Sequence, residues 1–188
     1  MEEVRERVFT VIQNYLKTPP VIIWGSGATV PFGLPSMNTL NQILKDNIPD
    51  FDNNCDNLEI ELGKEKYNDL MPQIRNLIWN AISTVDSQVL QNLLISDGDE
   101  FIGIKKLVEK ISDAHPKVTN IITTNYDRII ENVLSFHNIP FTDGFLGKDL
   151  SLFNENLFSS KNIVNIVKVH GSLNWFEFGG EIRYLQKS

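Results

Sequence analysis

Three short runs rich in β-branched residues, PVIIW (20–24), VTNIITT (118–124) and NIVNIVKV (162–169), constrain this chain more than any other feature. Each is too short for a helix and apolar enough to be buried, as the strands of a parallel sheet are. The stretches between them carry helical periodicity. Strands alternating with helices predict an α/β chain, a Rossmann-like and largely parallel sheet flanked by helices.

The helical stretches are read from apolar spacing. Residues 2–17 carry Val4, Val8, Val11, Ile12 and Tyr15 on one face and should end at Pro19-Pro20. Ser36 can cap a helix bearing Met37, Leu40, Ile43 and Leu44. From about Ile48 to Lys66 the composition turns polar and reads as a surface loop. Periodicity returns in KYNDLMPQIRNLIWNAIS, SQVLQNLLIS and EFIGIKKLVEKIS, with a break or kink expected near Pro72. Residues 48–113 are therefore read as a helical insertion or layer within a single domain, 1–188. RIIENVLSFH is a further helix with Asp127 at its cap, and EIRYL a late edge strand. No repeat, low-complexity stretch or linker divides the chain.

Composition excludes several functions. With 17 basic and 24 acidic residues the net charge is −7, which lacks the basic footprint of a phosphate-backbone ligand, so no direct nucleic-acid binding is expected. With one cysteine, Cys55, and three histidines scattered along the chain, a zinc site would have to borrow carboxylates or another chain, so neither a zinc module nor another metal is expected. The amino terminus is charged where a signal peptide would be apolar, and no run is long enough to span a membrane. A cytoplasmic protein is the expectation.

Parallel sheets bind ligands beyond the carboxyl ends of their strands. Here those ends carry Gly25-Ser26-Gly27, Asn125-Tyr126-Asp127 and His170-Gly171-Ser172. Backbone amides, a side-chain amide, a carboxylate and an imidazole thus converge on one rim, which is the composition of a catalytic cleft.

Each cluster also has a plainer reading. A Gly-x-Gly turn lets backbone amides approach a phosphate, but it equally serves a tight turn that needs positive φ. Its spacing here, Gly25, Gly27 and then Gly33, is neither the usual dinucleotide fingerprint nor a P-loop. Asn125 and Asp127 could orient a sugar hydroxyl or water and accept a ligand hydrogen bond, or form an Asx turn and helix cap. His115 lies before a proline and His137 near a helix end. His170, at a strand end beside glycine and serine, is the candidate general base, with a structural histidine as the alternative.

The set GSGATVPFGLP, TTNYD and VKVHGSLNW resembles the motifs of the sirtuin (silent information regulator) superfamily. There, a GAG-type loop with a downstream Gly-Ile-Pro, a TQNID-like strand end and a His-Gly occur in this order. The resemblance runs from about Val21 to Trp175. The HGSLNW form without a zinc module is similar to the prokaryotic sirtuin-like NAD hydrolases of anti-phage defence rather than to the protein deacylases. It implies that Gly25, Ser26, Gly27 and Ala28 embrace the NAD pyrophosphate with help from Thr29. Asn125 would hold the nicotinamide ribose or the attacking water, Asp127 the carboxamide, and His170 would act as base. Ser26 and Tyr126 replace the family's frequent alanine and aliphatic residue, the second reshaping the nicotinamide pocket.

The implied reaction needs no metal. Nicotinamide departs as a neutral molecule from a pyridinium, so the barrier lies in oxocarbenium character at the ribose C1′ and no general acid is required. NAD is then a substrate, cleaved to nicotinamide and ADP-ribose with cyclisation as a variant, and its depletion would serve abortive infection. The resemblance also implies a homo-oligomer, or a partner sensor or ATPase protein. Sirtuin-type domains continue past the His-Gly strand through units that hold the adenosine half, whereas this sequence stops at Ser188. The corresponding expectations are a domain truncated or minimal at its carboxyl end, a fragment of a larger protein, or a chain that takes the rest of the site from a partner. The competing readings are a catalytically silent NAD or ADP-ribose-binding or assembly module, and a deacylase or ADP-ribosyltransferase that would need an acceptor groove.

Overall fold

The computed structural model describes residues 2–15, 21–49, 51–52, 57–113, 118–147, 149–160 and 162–185. Cys55, His115 and the Pro19-Pro20 pair lie outside the described residues.

The three apolar runs form β1 (Val21–Trp24), β2 (Thr119–Thr123) and β4 (Val164–Lys168), all parallel. A two-residue strand, β3 (Phe141–Thr142), was not anticipated and pairs in parallel with β4, giving the order β1-β2-β4-β3. The expectation of a Rossmann-like parallel sheet flanked by helices is met. Register aligns Ile22 with Ile121 and Ile121 with Ile166, so one face of the sheet presents a continuous aliphatic row. Ile121 and Ile166 are fully buried in the core, together with Ile129, Val133 and Leu134 of α6 (Ile129–Phe136). The alternate face is less covered at β1, which lies at an edge of this sheet with Ile23 85% exposed.

Around the sheet stand α2 (Met37–Asn47), α3 (Leu58–Leu62), α4 (Met71–Ile95) and α5 (Ile102–Ser112), while α1 (Glu2–Tyr15) precedes β1 and contributes no described residue to the core. The capping role of Ser36 holds: its hydroxyl accepts from the Thr39 amide at 3.1 Å and opens α2. The amphipathic α1 forms as expected, with Val4, Val8, Val11 and Ile12 on the surface.

Three expectations are corrected. Pro72 neither breaks nor kinks a helix, because it occupies the first turn of α4, where a missing N–H costs nothing. The two helices expected around residues 66–96 are accordingly one, α4. The polar stretch expected to be a surface loop contains α3 and a 3-10 turn over 65–70, with Leu58, Glu61 and Tyr67 buried. Its polar residues satisfy one another: the Tyr67 hydroxyl donates to Glu61 Oε1 at 2.6 Å, and Lys66 Nζ lies 3.2 Å from the same oxygen. Finally, EIRYL forms a strand as expected, β6 (Glu181–Tyr184), but it lies outside the main sheet and pairs antiparallel with β5 (Trp175–Phe178). The Gly179-Gly180 turn between them has positive φ at both residues, which suits a tight hairpin.

Candidate active site

The carboxyl ends of β1, β2 and β4 meet at one rim. A cavity of about 240 Å³ opens there, lined among others by Ser26, Thr29, Asn125, Tyr126, Asp127 and His170. Leu34, Leu40, Ile78 and Ile82 supply its apolar wall. A second cavity, of about 570 Å³, shares Ile78, Ile82, Tyr126 and His170 with the first and continues past Arg75, Trp79 and Trp175. Of the residues singled out in the sequence, Ser26, Thr29, Asn125, Asp127 and His170 come together on the first cavity, while Gly25, Gly27 and Ala28 belong to the adjoining loop without lining it.

That loop is a single 3-10 turn, Ser26–Ala28. The Ala28 and Thr29 amides donate to the carbonyls of Gly25 and Ser26, both at 3.0 Å, so those two amides are committed within the loop. Gly25 has φ −103°, and neither it nor Gly27 has positive φ. A Cβ on either would meet nothing within 4 Å. The tight-turn explanation for these two glycines therefore does not apply, unlike Gly33, whose φ of 91° closes the next 3-10 turn in the left-handed region.

Asn125 joins the first two strand ends. The Thr29 hydroxyl, 1% exposed, donates to the Ser26 carbonyl at 3.1 Å, so its oxygen must accept from Asn125 Nδ2 at 3.2 Å. This chain of donors fixes the orientation of the amide and leaves Oδ1 as the acceptor that Asn125 can offer a hydroxyl or water. The Asn125 amide in turn donates to Thr123 Oγ1 at 3.0 Å.

Of the two roles the sequence left open for Asp127, the structure shows the Asx turn. It lines the cavity, and its Oδ1 accepts from the Ile129 amide at 3.2 Å, as an Asx turn opening α6. Burial pushes its carboxyl above the ordinary range, against the pull of Lys168. Asp143, at the end of β3, is raised likewise, by burial first and the nearby Glu131 second.

The turn carrying Asn125 and Asp127 is gripped from three sides. From α4, the fully buried Asp86 accepts from the Arg128 amide at 2.6 Å and from its guanidinium at 2.9 and 2.6 Å. From beyond β4, the Leu173 amide donates to the Tyr126 carbonyl at 3.0 Å. From β4 itself, Lys168 Nζ donates to the Asp127 carbonyl and to Glu131 Oε1, the latter at 2.8 Å.

His170 follows β4 on the exposed rim, between the two cavities. The Val169 amide bonds the Thr123 carbonyl at 3.0 Å, which prolongs the β2–β4 ladder to the histidine. Gly171, with φ 93°, then turns the chain back, a conformation that suits glycine. The other described histidine, His137, caps the end of α6, lines a separate cavity that shares no residue with these two, and packs edge-on against Phe136.

Sequence reasoning passed over Asp86, Lys168, Glu131 and the α4 wall. Two signals were present: Asp86 interrupts the buried stripe Ile82, Val89, Leu93 of α4, and Lys168 shares its strand face with Val164 and Ile166. A charge at a core-facing position is held by a partner or is costly. No group of three or more His, Cys, Asp or Glu side chains able to hold a metal occurs among the described residues. No helix there is long and apolar enough to cross a membrane.

Residues 119–185 match the family model of the SIR2-like domain. The match runs from β2 through β6 and takes in Asn125, Asp127 and His170. It supports an NAD-related function in general. No curated protein matches the chain.

Proposed function

We propose that this chain, sirtuin-like over residues 119–185, binds NAD at the rim and hydrolyses its nicotinamide–ribose bond. The observation that carries the reading is the meeting of Thr29, Asn125, Asp127 and His170 on one cavity from three different strand ends. Asp127 would take the nicotinamide carboxamide, and Asn125 Oδ1 the ribose hydroxyl or the attacking water. The open space over Gly25 and Gly27 would pass the pyrophosphate, with Ser26, Ala28 and Thr29 beside it.

The chemistry asks for orientation and a base. As the C1′–N bond breaks, its electron pair leaves with nicotinamide, and a water oxygen bonds to C1′. The water's proton passes to His170, directly or through a ribose hydroxyl. The apolar wall from α2 and α4 limits the water that reaches C1′. The biological setting we favour is NAD depletion in anti-phage defence by a cytoplasmic protein. Activity there would be gated by self-association or by a partner sensor or ATPase.

A second reading, a silent NAD- or ADP-ribose-binding or assembly module, draws on one observation. Since β1 lies at the sheet edge with Ile23 85% exposed, the described chain walls the Gly25–Ala28 loop from one side. Incubation with NAD in heavy-oxygen water, followed by mass spectrometry, separates the two. Hydrolysis puts one heavy oxygen into ADP-ribose for each nicotinamide released; a silent module returns intact NAD.

A further inference from the structure

We infer that Lys168 is a positioning residue of the rim: its ammonium, held between the Asp127 carbonyl and Glu131, fixes the turn that presents Asn125 and Asp127 to the cavity. This deepens the proposed NAD reading and rests on it for its catalytic consequence.

The argument starts from the strand. Alternation along β4 puts Val164, Ile166 and Lys168 on the face covered by α6, where the first two are buried in the core. A leucine or methionine at 168 would complete that row by packing alone. Lysine there is 5% exposed, so its charge has lost its hydration. It also lies at the amino end of α6, where the helix dipole repels a cation. Two groups offset these penalties, and both belong to the rim turn or the helix it opens.

Glu131, in the first turn of α6, supplies a counter-charge at 2.8 Å. The Asp127 carbonyl supplies the second acceptor, which ties the backbone of the turn to β4 two residues before His170. The ammonium thus links the strand that carries the histidine to the turn that carries the amide and the carboxylate. A contact made to a main-chain carbonyl fixes backbone position, which side-chain packing would leave softer.

Lys168 also sets the charge of the neighbourhood. Asp127 faces Lys168 from β4, Glu131 from α6 and Asp86 from α4, and Asp143 faces Glu131 and Lys168. Lys168 is the group among these that pulls both aspartates toward ionisation, against burial. Without it Asp127 would hold its proton to higher pH.

The test compares wild type with Lys168→Met, Lys168→Arg and the charge-balanced Lys168→Met/Glu131→Gln. Two readouts are taken: amide hydrogen exchange over residues 125–130, and the pH profile of nicotinamide release from NAD. Expected for Lys168→Met is at least tenfold faster exchange over 125–130, with residues 121–123 unchanged. Release should fall at least tenfold at neutral pH, and the acid limb of its profile should move to higher pH. Lys168→Arg should restore most of each. The double variant guards against a fold lost to an unpaired Glu131, and it should show the same loosened turn. Unchanged exchange in both charge-removing variants, or a release profile that drops without moving along the pH axis, overturns the proposal. Loosened exchange together with a wild type that neither binds nor cleaves NAD supports the positioning role and counts against the NAD reading alone.

Discussion

The side-chain amide of Asn125 donates to the hydroxyl of Thr29 at 3.2 Å, a bond across 96 residues of sequence that ties the carboxyl end of β2 to the loop after β1. Because the Thr29 hydrogen goes to Ser26, replacing the hydroxyl breaks two bonds at a buried point. Thr29→Val keeps the shape and should cost about 1–3 kcal/mol in denaturant unfolding. It should also lower kcat for nicotinamide release more than it raises KM, since Asn125 loses its orientation. Unchanged stability and kcat together would remove this bond from the account.

Gly25 and Gly27 make the opposite kind of prediction. With no positive φ and nothing within 4 Å of an added Cβ, alanine at either should leave stability unchanged within about 0.5 kcal/mol. If a pyrophosphate passes over this loop, the same methyl groups should raise the KM for NAD at least tenfold. An unchanged KM in both variants would return the loop to a merely connecting role.

Asp86 is where α4 meets the rim. Asp86→Ala leaves the Arg128 guanidinium and amide without their buried acceptor and should cost about 3–5 kcal/mol. Asp86→Asn keeps an acceptor for the amide and should cost distinctly less. Equal losses in urea unfolding would contradict the view that the backbone bond matters.

Two carboxyls should respond to pH with opposite signs. Glu61 is held down to about 2, from 4.5, chiefly by Lys64 and then by the Tyr67 hydroxyl. Its folded-state value is depressed, so its stabilisation is present above about 4.5 and is lost as pH falls toward 2. Asp143 is raised by burial, so its ionised form costs stability at neutral pH, and the cost fades as pH falls into its titration range. Glu61→Gln should therefore flatten the acid loss of stability. Asp143→Asn, which retains an acceptor for the Phe145 amide, should raise stability at pH 7 and lose that advantage toward pH 4. Thermal melts across this range check both signs, and parallel curves for variant and wild type would contradict them.

The strands β1, β2 and β4 and their ends were legible because β-branched composition and terminal Gly, Asn and His residues are local signals, whereas the short β3 and the hairpin strand β5 carry no such run. The start of α6 was legible for the same reason, since Asp127 makes an Asx turn to Ile129 two residues on, although the cap position itself falls to Arg128, one residue later than expected. What escaped was decided at a distance. Nothing local distinguishes Tyr67 and Glu61 from solvated polar residues until they bond one another in the interior. Pro72 misled because a proline in a first helical turn and one in a kink look alike in sequence. EIRYL has the composition of an edge strand, and which sheet it joins is set by the Gly179-Gly180 turn that folds it onto β5. Lys168 and Asp86 were visible as charges in apolar rows, but their partners lie 41 and 42 residues away along the chain, on Asp127 and Arg128.

The central claim is that His170 at this rim cleaves NAD. The direct measurement is nicotinamide release from saturating NAD by the folded protein, beside His170→Ala with its fold verified by circular dichroism. His170 lies on the exposed rim, so the variant should fold as the wild type does. Release by the wild type that falls at least a hundredfold in the variant is the predicted result. Equal release from both, or none from a wild type that binds NAD, would contradict it.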